Sequence, residues 1–188
     1  MPQTADSVAP QPSAAALPCV IDIEASGFGR GSFPIEVGFI LPDGQSYCSL
    51  VRPPAHWTHW DPRAEQVHGL TRAMLERHGR SPAEIAAVLN DRLRGATLYC
   101  DGWAHDYPWL ALLFDEAGST PAFKLRHLQE LLGEDQARHW DAACAAARLG
   151  LSLGRHRASS DARVLQQAIG HVRALAASSP ARAGRTSG

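Results

Sequence analysis

The alternation of hydrophobic and polar positions changes its period near Val51. Before that point, short β-branched and apolar runs are separated by turn residues, which predicts strands. Residues 19–24, Cys-Val-Ile-Asp-Ile-Glu, form the first and close at Ser26-Gly27. Residues 35–41 form the second, and Pro42-Asp43-Gly44 turns the chain into a third over 46–51. The three are expected to make an antiparallel meander. Pro53-Pro54 breaks the pattern, and apolar residues then recur at helical spacing. Short helices are predicted over 62–68 and 71–78, stopped by Gly69 and Gly79. Ser81-Pro82-Ala83-Glu84 combines an N-cap, a first-turn proline and a capping-box glutamate. It opens a helix with Ile85, Val88, Leu89 and Leu93 on one face. A fourth strand is expected over 96–100, followed by helices over 106–117, 122–132, 136–149 and 160–176. Strands and helices around one sheet describe a layered α/β or α+β domain. No internal repeat is visible.

Several acids sit where this pattern calls for apolar residues. Asp22 and Glu24 are two apart on a strand, so both project from one face of an otherwise apolar run. Buried together they would repel each other and lose hydration, and a cation between them would relieve both costs. The plainer alternative is an edge strand with one solvated face. In the last helix, Val164, Leu165, Ala168, Val172 and Leu175 define the inward stripe, and Asp161 falls on it. A first-turn carboxylate favoured by the helix dipole and frayed into water is the alternative there. His156, in the loop 154–158, precedes that helix and could swing beside Asp161, the plainer alternative being an ordinary surface histidine. Asp106 opens the helix that carries Pro108 in its first turn, so it also reads as an N-cap. Asp101, five residues earlier, is a rival for the same role.

Length and composition narrow the setting. The chain's 188 residues fit one domain with a single core. A net charge of −1 gives no basic footprint for non-specific nucleic-acid binding. Lys124 is the sole lysine. Cys19, Cys48, Cys100 and Cys144 are widely spaced without a CxxC pair, and read as buried apolar residues of a reduced, cytoplasmic protein. The chain lacks an apolar run of spanning length, so no membrane partner is expected. Residues 1–17 lack a basic segment ahead of an apolar one, which argues against a secretory signal. They are expected to form a disordered extension, as is the tail 178–188, flanking a domain over 18–177.

Taken together, the acids form a known pattern. Asp22-Ile23-Glu24, then Asp106 followed by Tyr-Pro-Trp-Leu, then His156 separated from Asp161 by four residues, resemble the three motifs of the DEDDh exonuclease superfamily. That group includes the proofreading subunit of bacterial DNA polymerase III, oligoribonuclease and ribonuclease T. The resemblance runs from about Cys19 to Val172. Asp22-Ile23-Glu24-Ala25-Ser26-Gly27-Phe28 resembles the family's DxET-T/S-G-L/F segment, and His68-Gly69-Leu70-Thr71, preceded by Trp60, its HGIT element. His156-Arg157-Ala158-x-x-Asp161-Ala162 is similar to its HRAxxDA box. The second motif departs most, with Cys-Asp-Gly-Trp-Ala-His where the family has an asparagine and an aromatic before the aspartate. The Trp-Leu after Asp106 favours it over Asp101.

The resemblance implies a ribonuclease H-like fold, a mixed five-stranded sheet flanked by helices, with Asp22 and Glu24 on the central strand. It implies a 3′–5′ exonuclease that hydrolyses single-stranded nucleic acid, RNA or DNA, from 3′ ends and releases nucleoside 5′-monophosphates. Asp22, Glu24, Asp106 and Asp161 would hold two Mg²⁺ or Mn²⁺ ions, hard cations suited to carboxylates. Asp22 would bridge both ions, Glu24 and Asp161 would hold the nucleophile-side ion, and Asp106 would act through water on the other. His156 would be the general base, histidine being suited to proton transfer near neutrality. Ser26, Gly27 and Phe28 would line the pocket for the terminal nucleotide, with His68 on the base or sugar. Several standalone family members are dimers, which makes a homodimer an expectation by analogy only. Two alternatives share the fold: a catalytically silent nucleic-acid-binding module, and a small-molecule phosphodiesterase. A third, a zinc-binding domain built on His56-x2-His59, lacks the cysteine pair that such sites carry.

Overall fold

The computed structural model describes residues 16–151 and 156–178. Expectations for 1–15, 152–155 and 179–188, which cover most of both tails and part of the loop before the last helix, lie outside the described residues.

Five strands form one mixed sheet. They are β1 (Cys19–Ala25), β2 (Pro34–Ile40), β3 (Ser46–Leu50), β4 (Thr97–Cys100) and β5 (Lys124–His127), in the order β3-β2-β1-β4-β5. The first three are the expected antiparallel meander, and β4 and β5 join parallel to β1. Among the described residues seven α-helices surround them: α1 (Pro62–His68), α2 (Arg72–His78), α3 (Pro82–Arg92), α4 (Trp103–Glu116), α5 (Glu134–Arg138), α6 (Trp140–Leu151) and α7 (Ala158–Ser178). The predicted punctuation holds locally. Gly69 ends α1 in the left-handed conformation, at φ 70°. Ser81 and Glu84 make the reciprocal capping box of α3.

The period-two pattern of β1 sorts the core into two layers. Cys19, Ile21 and Ile23 pack with Val37, Phe39, Leu89, Leu113 and Phe114 on one face. Val20 packs with Ile40, Ala143, Ala147, Ala162 and Ala168 on the other, beneath α6 and α7. Asp22 and Glu24 therefore continue the α7 face toward the carboxyl end of β1. Gln166 Nε2 donates to the Pro18 and Leu41 carbonyls at 2.8 and 2.9 Å and ties α7 to the sheet. Arg173 donates to the Ala16 carbonyl, so contact with α7 begins before residue 18.

Three expectations are corrected. Residues 122–132 are not a helix but the edge strand β5 followed by a 3₁₀ turn, Leu128–Leu131. Leu125, Leu128, Leu131 and Leu132 mimic a helical stripe. The pairing of β5 with β4, and the bond from the Lys124 amide to the Ala96 carbonyl, outweigh that periodicity. Residues 136–149 are two helices broken at His139, with neither Gly nor Pro to mark the break. Of the four cysteines only Cys19 and Cys100 are buried; Cys48 is exposed on β3 and Cys144 half-buried. Among the described residues no helix is long and apolar enough to cross a membrane.

Candidate active site

Asp22 and Glu24 lie on the central strand, so the edge-strand alternative does not hold. They point toward the cleft outside the carboxyl ends of β1 and β4, the place where open α/β sheets offer sites. Across β2, Asp22 pairs with Gly38 and Glu24 with Glu36. Gly38 admits the first turn of α7: a Cβ there would collide with the Ser159 amide and the Ala158 carbonyl carbon. That close approach delivers Asp161, which is 9% exposed and so not frayed into water. Its Oδ1 accepts from Arg148 Nη1 of α6 at 2.9 Å. Ligand atoms of Glu24, His156 and Asp161 lie within 4.8 Å of one another.

Asp106 comes from the opposite layer. α4 starts earlier than expected, at Trp103, because the His105 and Asp106 amides both donate to the Gly102 carbonyl. Asp106 is thus the fourth helical residue rather than the N-cap, and Pro108 lies inside the helix. It is 4% exposed, and its Oδ2 has no hydrogen-bond partner among the described residues. Asp101 is exposed at the end of β4 and takes no part in lining the cleft.

The cleft is a cavity of about 510 Å³. Asp22, Glu24, Asp106 and His156 line its acidic side, and Gly27, Phe28 and Trp109 a second wall. Arg63, Val67 and His68 of α1 form a third. Burial, then repulsion from Asp106, Glu24 and Asp161, raises Asp22 well above the usual carboxylate range. Burial and then Asp161 push Glu24 up to about 7. Burial pushes Asp106 up to about 7 against a hydrogen bond from Cys100. Acids held this close, with one oxygen orphaned, fit a divalent cation, for which Glu24, His156 and Asp161 offer ligand atoms.

The remaining expected residues divide. Gly27 has φ 139°, and a Cβ there would press on Asp61 and His59 at 2.6 and 2.9 Å, so the position requires glycine. Phe28 is 68% exposed, with its ring 5.0 Å from His105 and 5.8 Å from Trp109. The Ser26 hydroxyl is engaged away from the cavity lining, 3.0 Å from His59 Nδ1 and accepting from the Phe33 amide at 3.1 Å. His68 Nδ1 accepts from the Leu70 amide at 3.0 Å, which places the proton of the neutral ring on Nε2. That Nε2 is buried without a partner among the described residues. His156 sits at φ 56°, a left-handed conformation that is rare outside glycine and is found at functional positions. His56 and His59 do not converge on one point: His56 Nε2 meets Glu116 at 3.0 Å, and His59 meets Ser26.

Sequence reasoning did not single out Glu36, Arg148, Arg63, His105 or Trp109 as site residues. Glu36 had a signal, being a lone acid inside the apolar run Pro-Ile-Glu-Val-Gly-Phe-Ile. Arg148 and Arg63 had none, since each is one arginine among many on a helix.

No family model matches this sequence, and no curated protein sequence is significantly similar to it. Solved structures are similar at the level of fold. An exonuclease I structure interpreted in terms of processivity superposes with a TM-score of 0.65 at 13% identity, covering 85% of this chain and 41% of that one. The zinc-bound complex of Escherichia coli exonuclease I with single-stranded DNA gives 0.61 at 14%, covering 87% and 41%. A moderately thermophilic exonuclease I from Methylocaldum szegediense gives 0.59 at 14%, with the same coverages of 87% and 41%. The chain therefore spans 41% of the length of these neighbours. This likeness, with the strand order above, identifies the chain as having the ribonuclease H-like fold, a mixed five-stranded sheet flanked by helices.

Proposed function

We propose that this protein is a metal-dependent 3′–5′ exonuclease of the DEDDh type that acts on single-stranded nucleic acid. One observation carries the reading. Asp22, Glu24 and Asp106, from a central strand and a helix of opposite layers, converge with His156 on one cavity, and Asp161 completes the cluster beside Glu24. The same fold in exonuclease I is crystallised with single-stranded DNA, which supports the substrate class.

Asp22, Glu24, Asp106 and Asp161 would hold two Mg²⁺ or Mn²⁺ ions. When bound, such ions lower the pKa of the attacking water and stabilise the leaving 3′ oxygen. The protein's own groups supply the rest. His156, within 4.8 Å of Glu24 and Asp161 at their nearest ligand atoms, takes the proton of that water. The exposed ring of Phe28, backed by His105 and Trp109, stacks on the terminal base, a contact that tolerates any sequence. His68 Nε2–H, unpaired among the described residues, donates to the base or sugar. Arg63, which lines the same cavity, offers its guanidinium to a phosphate. Displacement at the last phosphodiester then releases a nucleoside 5′-monophosphate.

Product analysis tests this. Single-stranded DNA or RNA incubated with protein and Mg²⁺ or Mn²⁺ is expected to yield nucleoside 5′-monophosphates, resolved by chromatography. Nucleoside 3′-monophosphates, or only internal fragments, would contradict the mechanism. Intact oligonucleotides with every cation would move the reading to a silent binding module or a small-molecule phosphodiesterase.

A further inference from the structure

Glu36 is the acid of this face that the mechanism above leaves unused. It is fully buried on β2, directly opposite Glu24 on β1. Like charges directly opposite on neighbouring strands repel, and a buried carboxylate without partners is costly. Arg157 answers both. Its Nε donates to Glu36 Oε1 and Oε2 at 3.0 and 3.2 Å, and its Nη2 donates to Oε1 at 2.7 Å. The Ala158 amide, at the start of α7, donates to Oε2 at 2.8 Å. Both carboxylate oxygens of Glu36 accept from these two consecutive residues, and the Cys48 side chain also contacts Glu36.

Their place in the chain gives the contact its meaning. Arg157 and Ala158 immediately follow His156, whose left-handed backbone needs support from its surroundings. The Arg157 carbonyl in turn accepts from the Ser160 and Asp161 amides at 2.8 and 3.0 Å, which begins α7. Glu36 thus pins the short segment between the proposed base on one side and a proposed cation ligand on the other. A charge pair with one partner fully buried and the other half exposed adds little net stability, so its use lies in fixing geometry.

Resting on the exonuclease reading above, we propose that Glu36 is a positioning residue. Through Arg157 and the Ala158 amide it holds His156 over the carboxylate cluster, and it touches neither substrate nor cation itself. The Arg157 guanidinium held by this clamp also works on Glu24, lowering its carboxyl pKa where burial, Asp161 and Glu36 raise it.

Glu36→Gln keeps the shape and removes the charge, and Arg157→Lys keeps a cation and removes the fork. With single-stranded DNA and Mg²⁺, Glu36→Gln is expected to lower kcat about 10- to 100-fold at unchanged KM, the scale seen when a residue that orients an active-site group is lost. Arg157→Lys should lose less. On a His156→Ala background the Glu36→Gln change should cost nothing further, because both act through one group. An equal fold-loss on both backgrounds would overturn the proposal. A second readout needs no turnover: bound Mn²⁺ should broaden the His156 ring resonances in the wild type and broaden them less in Glu36→Gln. Unchanged broadening would also overturn it. If the wild type cuts no DNA, the exonuclease reading falls by itself and the Mn²⁺ experiment still decides the clamp. Should Glu36→Gln fail to fold, Arg157→Lys carries both readouts.

Discussion

The amide of Ser159 rests on Gly38, in a space that a side chain at residue 38 would fill. Gly38 is the partner of Asp22 across β2, so this contact sets how closely α7 brings Asp161 to the acids of β1. Gly38→Ala is expected to push the first turn of α7 outward. Overpacking of this kind costs about 1–3 kcal/mol, or roughly 2–4 °C in melting temperature for each kcal/mol at this chain length. Denaturant unfolding measures that loss. Mn²⁺ titration should show weakened binding beyond what the loss of stability explains, and unchanged binding would mean that Asp161 is placed by other contacts.

The raised acids make stability depend jointly on pH and cation. Glu24 and Asp106 are pushed up to about 7, and Asp22 is also raised, all chiefly by burial. Each binds its proton more tightly folded than unfolded. The stabilisation this gives is present below the ordinary carboxylate range, and is lost as pH rises through about 7. A divalent cation should reverse the loss, since it binds the ionised form. The increase in melting temperature on adding Mg²⁺ or Mn²⁺, relative to EDTA, should therefore be larger at pH 8 than at pH 5. Equal increases at both would contradict the cluster.

Asp106 and Asp101 compete for one role in the sequence and are separated by the structure. Asp106 lines the cavity with an unpartnered oxygen, and Asp101 is exposed outside it. Asp106→Asn should reduce turnover by about a hundredfold or more, the scale of removing one electrostatic group from an active site. Asp101→Asn should leave kcat near that of the wild type. The reverse ranking in a steady-state assay would reassign the second motif.

Phe28 lines the cavity and is 68% exposed, where Trp109 beside it is buried. Its exposure costs hydrophobic stabilisation, which a stacked base would restore. Phe28→Ala should raise KM for single-stranded DNA about tenfold, in line with stacking worth about 1–3 kcal/mol per base. It should leave melting temperature little changed. A large drop in stability with unchanged KM would make Phe28 a packing residue.

Much of this was legible in the chain because several signals agreed. Asp22 and Glu24 interrupt an apolar strand in phase with each other, and Asp161 interrupts a helical stripe. The motif order then tied them to His156 and Asp106. What escaped notice depended on partners distant in sequence. The leucines of 122–132 fit a helix locally and became a strand only because β4 supplies the hydrogen bonds. The break at His139 has no residue type that marks it. The early start of α4 hides behind Pro108, and the use of Glu36 depends on an arginine 121 positions away.

The most direct test follows 5′-labelled single-stranded DNA and RNA of equal sequence with wild type and Asp161→Asn, in Mg²⁺, Mn²⁺ or EDTA. A ladder that shortens from the 3′ end with wild type and cation, and vanishes with EDTA or the variant, is the predicted result. Undiminished shortening by Asp161→Asn, or in EDTA, would contradict the assignment of the carboxylate cluster as the catalytic centre.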